Sequence, residues 1–199
     1  MTFTVGFVTG ATPDKWARIW RERSRERLEL VPITEESQER LLREGELDMA
    51  LVRLPIDRDG LHCIPLYEEQ PVAVMGHEHL LSLLEEVTLD DLAEEQLVLP
   101  ERGGWTPGVE QLAWPAMSEK DAVETVAAGT GVAIVPMSIA RLYHRKDAVF
   151  RPVAGIEPTT VGLAWLIDND PSTSSGHRDE RVQTFIGIVR GRSRNSSRR

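Results

Sequence analysis

One cysteine, Cys63, stands in 199 residues. Without a second thiol, an internal disulfide and a cysteine-rich metal site are both excluded. Long apolar runs are missing too, and none approaches the ~20 residues that a membrane-spanning helix needs. The opening Met1–Gly6 (MTFTVG) lacks the charged start and apolar stretch of a secretory signal. These absences make the reducing cytoplasm the expected compartment and leave no membrane partner. Familiar catalytic signatures are absent as well. There is no G-x-S-x-G, no phosphate loop ending in G-K and no zincin helix motif. Gly129-Thr130-Gly131 follows a helix-like run and precedes a strand-like one, the wrong order for dinucleotide binding. We therefore expect no enzyme and no cofactor.

What the chain does contain suits a packed globular body. Apolar residues make up 41% of it and charged residues 28%, enough core and not enough charge for bulk disorder. The net charge is −9, yet the end from Gly187 carries Arg190, Arg192, Arg194, Arg198 and Arg199 and no acid. Removing those five arginines leaves −14 for residues 1–186. A body that acidic repels phosphate backbones, so the chain alone is a poor partner for DNA. The basic segment 187–199 reads as a solvated tail.

Short β-rich runs alternate with helical ones. Phe3–Val8 reads as a strand, and Asp14–Leu28 as a helix with Trp16, Ile19 and Trp20 at helical spacing and Pro13 in its first turn. Leu28–Ile33 is the second strand. Thr34 is placed to cap a helix through Arg43 that Gly45 ends. Leu47–Val52, almost wholly apolar, fits a buried parallel strand. This β-α-β-α-β order argues for a doubly wound α/β sheet. Extended runs Ile64–Glu69 and Pro71–Met75 follow, then a short strand Leu97–Leu99 and a helix from Ser118 to Ala128, with Asp121 at the capping-box position and Gly129 as its stop. Gly131–Val135, Val149–Val153 and Val161–Ile167 read as later strands, with a short helix from Pro136 to Tyr143 among them. Ser174 or Ser175 would cap a final helix whose stripe is Val182, Phe185, Ile186 and Val189. Together these runs form two Rossmann-like lobes joined by two crossover strands: 1–73 with 164–199, and 74–163. Such lobes bind ligands at the carboxyl ends of their strands.

Glu44–Val52 (EGELDMALV) resembles the EGELDLAIV segment of LysR-type regulators. Pro65–Glu69, Gly76–Leu80, Val87–Leu92 (VTLDDL) and Ala127–Pro136 (AAGTGVAIVP) are similar, in the same order, to four further segments of that family's C-terminal domain. Each segment alone is a weak signal, and five in register across nearly the whole chain are specific. The resemblance implies a fold like that of type II periplasmic binding proteins. It also implies a small-molecule effector between the lobes, a homodimer, and promoter contact only through an N-terminal winged helix-turn-helix. That head has no counterpart before Phe3, which we read as an excised domain. A transporter's solute-binding protein, which shares the two-lobe plan, is the alternative.

The resemblance and the strand ends together nominate effector-binding residues. Thr9, Gly10 and Thr12 follow the first strand, Thr34 the second and Arg53 the third; capping is the competing role for Thr12 and Thr34, and a surface ion pair for Arg53. An Arg53 clamp would suit an anionic effector, and Arg53→Ala is expected to weaken binding and spare the fold. Trp105 after Gly103-Gly104, Thr130 and Ser138 are nominated from the second lobe, against loop-anchor, turn and capping roles. For the dimer, Trp16, Arg18, Ile19 and Arg21 on the first helix would face Glu119 and Glu124, with Asp121, on the Ser118–Ala128 helix of a partner. His77-Glu78-His79 lacks the spacing of a helical zinc pair and reads as a turn. Cys63 reads as a small buried hydrophobe, and the two-cysteine peroxide switch of some LysR relatives is excluded within one chain.

Overall fold

The computed structural model describes residues 2–99, 105–167 and 176–191. Chain contacts divide it into two compact units, Met1–Tyr67 with Thr160–Arg199, and Glu68–Thr159, so the chain passes between them twice.

The first unit holds a five-stranded sheet of order β2-β1-β3-β9-β4. β1 (Phe3–Val8) pairs in parallel with β2 (Leu28–Ile33) and with β3 (Met49–Arg53), and β9 (Thr159–Leu166) runs antiparallel to β3. The sheet is therefore mixed. Its parallel part follows from the helical crossovers; β9 and β4 (Leu61–Glu69) are laid down after them. Asp48, inside the EGELD segment, accepts a hydrogen bond from the Thr4 N–H at 2.8 Å, and its own N–H donates to the Thr4 carbonyl at 2.9 Å. That family-like acid thus locks the start of β3 to β1.

The helix α1 spans Asp14–Arg23, not Asp14–Leu28. The Phe3 N–H already donates to the Arg27 carbonyl, and Phe3 sits opposite Leu28, so residues 24–27 are spent returning to the sheet. Ser24 goes extended, its hydroxyl accepts from the Glu26 N–H, and the Trp20 indole donates to the Glu26 carbonyl. Trp20 is core: its ring stacks on Phe3 at 4.8 Å and tilts against Phe185 at 5.9 Å. Phe185 belongs to α5 (Gly176–Val189), which packs on α1. Because α5 continues through Ile188, which is buried, Gly187–Val189 are helical and the basic tail begins later than expected. The caps proposed at Ser174 or Ser175, and the tail beyond Gly191, lie outside the described residues. α2 (Gln38–Arg43) is shorter than the Thr34–Arg43 helix expected; a 3-10 turn over Glu35–Ser37 comes first. Gly45 stops α2 with a left-handed φ of +72°.

The second unit holds a four-stranded sheet of order β6-β7-β5-β8. Its strands are β5 (Pro71–Gly76), β6 (Leu97–Val98), β7 (Val132–Pro136) and β8 (Ala148–Pro152). β5 is antiparallel to β7 and β8; only β6 and β7 run in parallel. α3 (Glu119–Ala127) begins with the expected capping box, Ser118 and Asp121 each bonding the other's backbone N–H. A short helix α4 (Met137–Leu142) follows β7. Small and aliphatic side chains fill this unit on both faces of β5 and β7: Val72, Val74 and Ile139 on one side, Met75, Leu92 and Ile134 on the other. In the VTLDDL segment Asp91 accepts from both the hydroxyl and the N–H of Thr88, at 2.6 and 2.8 Å. The Gly131 of the AAGTG segment has φ +73°, and a Cβ there would lie 2.3 Å from the Gln96 carbonyl. These family-like residues are scaffold.

Candidate functional site

Three parallel strands of the first unit end together, and the residues that follow them meet. Val8 pairs with Ile33, and Phe7 with Leu51, so Thr9, Thr34 and Arg53 fall at one carboxyl edge. Arg53 is the hub. Its guanidinium donates to Glu35 Oε1 at 2.5 Å and to the Thr9 carbonyl at 3.2 Å, while only 3% of the residue is exposed. Its peptide is bracketed by the buried Gln38 amide, which accepts from the Arg53 N–H at 2.9 Å and donates to its carbonyl at 3.0 Å. Arg53 thereby ties the loop after β1, the turn after β2 and the end of β3 into one polar knot.

The surface-pair role weighed for Arg53 is thus corrected: the ion pair exists, and its cationic end is buried. Arg53→Ala would not spare the fold. It would remove the guanidinium's hydrogen bonds to Glu35 and to the Thr9 carbonyl and empty the space of a side chain that is almost wholly buried. Gly10 turns the loop with φ +88°, and the Ala11 N–H closes it on the Val8 carbonyl. Thr12 is exposed and does not cap α1, whose first turn is taken by Pro13 with no side-chain cap. Thr34 is exposed, and its hydroxyl bonds the Ser37 hydroxyl at 3.1 Å instead of a backbone N–H.

Residues of the second unit do not all converge. Thr130 precedes β7 and Ser138 follows it, so the whole strand, roughly 16 Å at 3.3 Å per residue, separates them. The two therefore stand at opposite ends of β7. Ser138 sits at the carboxyl end, and its hydroxyl oxygen is buried without a hydrogen-bond partner. Thr130 is exposed beside Gly129, which lines a depression of about 490 Å³ that also contains His79, Glu95 and Asp147. Trp105 packs half-buried on the Met75–Leu92–Ile134 cluster, the anchoring role weighed for it; Gly103 and Gly104 lie outside the described residues.

The remaining nominated groups are placed as follows. Trp16 and Ile19 are half-buried against the core of the first unit, with Arg18 and Arg21 exposed. Asp121 is engaged in its capping box, Glu119 is half-buried, and Glu124 lies 4.0 Å from Lys120 and 3.9 Å from Arg145. His79 caps a 3-10 turn over Leu80–Leu83: its Nδ1 accepts from the Leu81 N–H at 3.2 Å, which leaves the proton on Nε2, 3.3 Å from Glu95. Cys63 is half-buried, and burial raises its thiol pKa while Arg58 opposes the rise. Its sulfur would lie 2.9 Å from a Cβ at Gly162, so that glycine makes room for it. Glu35 and Gln38 were missed in the sequence. A signal existed for Gln38, which stands four residues before the buried Leu42 on the same helical stripe, where a polar residue needs a partner.

A chain threaded twice between two α/β units, with polar residues gathered where parallel strands end, defines a binding domain of the doubly wound kind. Residues 3–194 match the model of the LysR substrate binding domain, and the chain belongs to that family. The Hca operon transcriptional activator HcaR of Escherichia coli (strain K12) is 29% identical over 209 residues, covering 95% of this chain and 67% of that protein. A probable hydrogen peroxide-inducible genes activator of Mycobacterium avium is 35% identical over 174 residues, covering 79% of this chain. The chain spans 54% of that regulator's length. The fold matches the crystal structure of the reduced form of OxyR with a TM-score of 0.75 at 18% identity, over 99% of this chain and 98% of that one. No helix among the described residues is long and apolar enough to cross a membrane.

Proposed function

We propose that this chain is the effector-sensing domain of a LysR-type regulator and that it binds, without chemical turnover, a small molecule at the carboxyl edge of the first unit's sheet. The supporting observation is the Arg53 knot. It holds the Thr9–Thr12 loop and the Thr34 turn in fixed relation while Thr12 and Thr34 stay exposed. Thr9, Gly10, Thr12 and Thr34 supply hydroxyls and N–H groups, and Arg53 acts chiefly by positioning them. Ser138, at the carboxyl end of β7, is the second unit's own candidate, its buried hydroxyl lacking a hydrogen-bond partner. Binding biases a conformational equilibrium of the domain and thereby a homodimer arrangement. α1, through Trp16, Arg18, Ile19 and Arg21, meets α3 of a partner, and the dimer sets the spacing of DNA-reading heads in the whole regulator.

The knot offers a test of whether the effector is anionic. Arg53 and Glu35 together are neutral, so a carboxylate seated there competes with Glu35 for the guanidinium, and a neutral effector does not. Native mass spectrometry of freshly purified protein tests the reading. A retained small molecule, one per chain, is expected, and Thr12→Val should lose it. Glu35→Gln should raise retention if the molecule is a carboxylate. Retention unchanged by both substitutions would place the site elsewhere.

A further inference from the structure

The turn that His79 caps presents apolar side chains outward. Leu80 is 80% exposed and Leu83 83%, while Leu81 between them packs on the core of the second unit. In a 3-10 turn residues i and i+3 eclipse, so Leu80 and Leu83 stand one above the other on a single ridge, with Leu84 at its end. The exposure is not that of a loose loop, because this turn is fastened at both ends. His79 holds its start, the Ser82 hydroxyl donates to the His77 carbonyl at 3.0 Å, and Arg151 donates to the Ser82 and Leu84 carbonyls, both at 2.6 Å. Three polar side chains fix a turn whose outward residues are leucines. Such a rigid ridge loses little entropy when covered, which is the property of a docking element.

Its rim is acidic. Glu78, Glu85 and Glu86 flank it and are exposed. The complementary surface is in the same chain. α1 carries half-buried Trp16 and Ile19 with Lys15, Arg18 and Arg21 exposed around them, and exposed Arg25 follows. The acids of α3 are less available for those arginines, since Asp121 serves its cap and Glu124 is shared by two cations. We propose that the Leu80–Leu84 ridge docks on α1 of a second copy of this chain, apolar on apolar, with Glu78, Glu85 and Glu86 against Arg18, Arg21 and Arg25. This rests on the homodimer reading above and assigns it a second contact, outside α3. A two-fold axis uses the contact twice.

Sedimentation velocity of the 199-residue chain over a concentration series tests the assignment. The double variant Leu80→Asp/Leu83→Asp should raise the dimer dissociation constant about tenfold or more, with its thermal midpoint unchanged because both side chains lie in solvent. Should that variant fail to fold, Glu85→Lys/Glu86→Lys is expected to weaken the dimer in the same direction. Arg18→Glu/Arg21→Glu should also weaken it, and combining the two charge reversals should restore it. A dimer within about twofold of wild type in the leucine variant, or no restoration in the combined variant, overturns the ridge-to-α1 contact while the homodimer stands. A wild-type monomer at every concentration overturns both.

Discussion

The two units solve the problem of covering a sheet differently. The first closes its core with the far end of the chain: Phe3, Trp20 and Phe185 pack ring on ring, and Phe185 arrives from α5 after the entire second unit has intervened. The second unit is one continuous stretch, its buried core filled by small and aliphatic side chains. Polar groups differ in the same way. In the first unit a buried guanidinium gathers three segments that come from different parts of the sequence. In the second, short-range pairs such as Thr88 with Asp91 and Ser118 with Asp121 fix single turns. The first unit's knot is wholly long-range, whereas the second unit adds such local pairs to long-range ties, Arg151 to the Ser82 and Leu84 carbonyls among them.

The sharpest way to break that contrast is Phe185→Ala. Removing a fully buried ring should cost about 3–5 kcal/mol. Hydrogen exchange should report lost protection in β1 and β3, with β5 and β7 little changed if the units open separately. Equal loss in both would show a single cooperative block. Next in size is Arg53→Ala, expected to cost about 2–3 kcal/mol in chemical denaturation, below the full penalty for a buried pair because the Glu35 side chain keeps 30% exposure. Glu35→Gln should cost less, since an amide still accepts the guanidinium's hydrogen bond.

Much of this architecture was legible in the sequence, for a physical reason. Strands and caps are local: β1, β2 and the Ser118–Asp121 box fall where alternation and capping chemistry put them. The early end of α1 was not legible, because it is set by the Phe3 N–H bonding the Arg27 carbonyl as Phe3 takes Leu28 opposite it, a contact across sequence. The site divides along the same line. Strand ends brought Thr9, Thr34 and Arg53 to one edge, since parallel strands share a polarity. Glu35 and Gln38 escaped notice because a buried partner cannot be told from a surface acid or amide without the fold. Thr130 and Ser138 fall at opposite ends of β7, as the sequence order of turn, strand and helix implies.

Smaller effects refine the second unit's side of the comparison. Gly131→Ala should cost about 1–3 kcal/mol, as it adds a steric clash with the Gln96 carbonyl to a left-handed φ. Gly45→Ala in the first unit has a similar φ, +72°, but open space around it, and should cost about 1 kcal/mol. Equal thermal shifts for the two would deny that close packing at the AAGTG turn matters. Smallest is Asp91. Hydrogen bonds from the Thr88 hydroxyl and then the Thr88 N–H hold its carboxyl below the usual carboxylate range. A depressed folded value means that its stabilisation is present above the ordinary carboxylate pKa and is lost as pH falls through the lowered one. Thr88→Ala should move the Asp91 titration upward in a carboxyl-detected NMR series, and an unmoved titration would assign the shift to another cause.

The claim on which the rest depends is that the Thr9–Thr12 loop at the first unit's carboxyl edge receives the effector. Calorimetric titration of the molecule retained on purification, into wild type and into Thr12→Val, tests it most directly. Thr12 is exposed and caps nothing, so its substitution should leave the melting temperature unchanged. Loss of one hydrogen bond to a bound ligand should weaken binding by about 1–3 kcal/mol, or roughly 5- to 150-fold. Unchanged affinity in a variant of unchanged stability would contradict the account and move the site away from this edge.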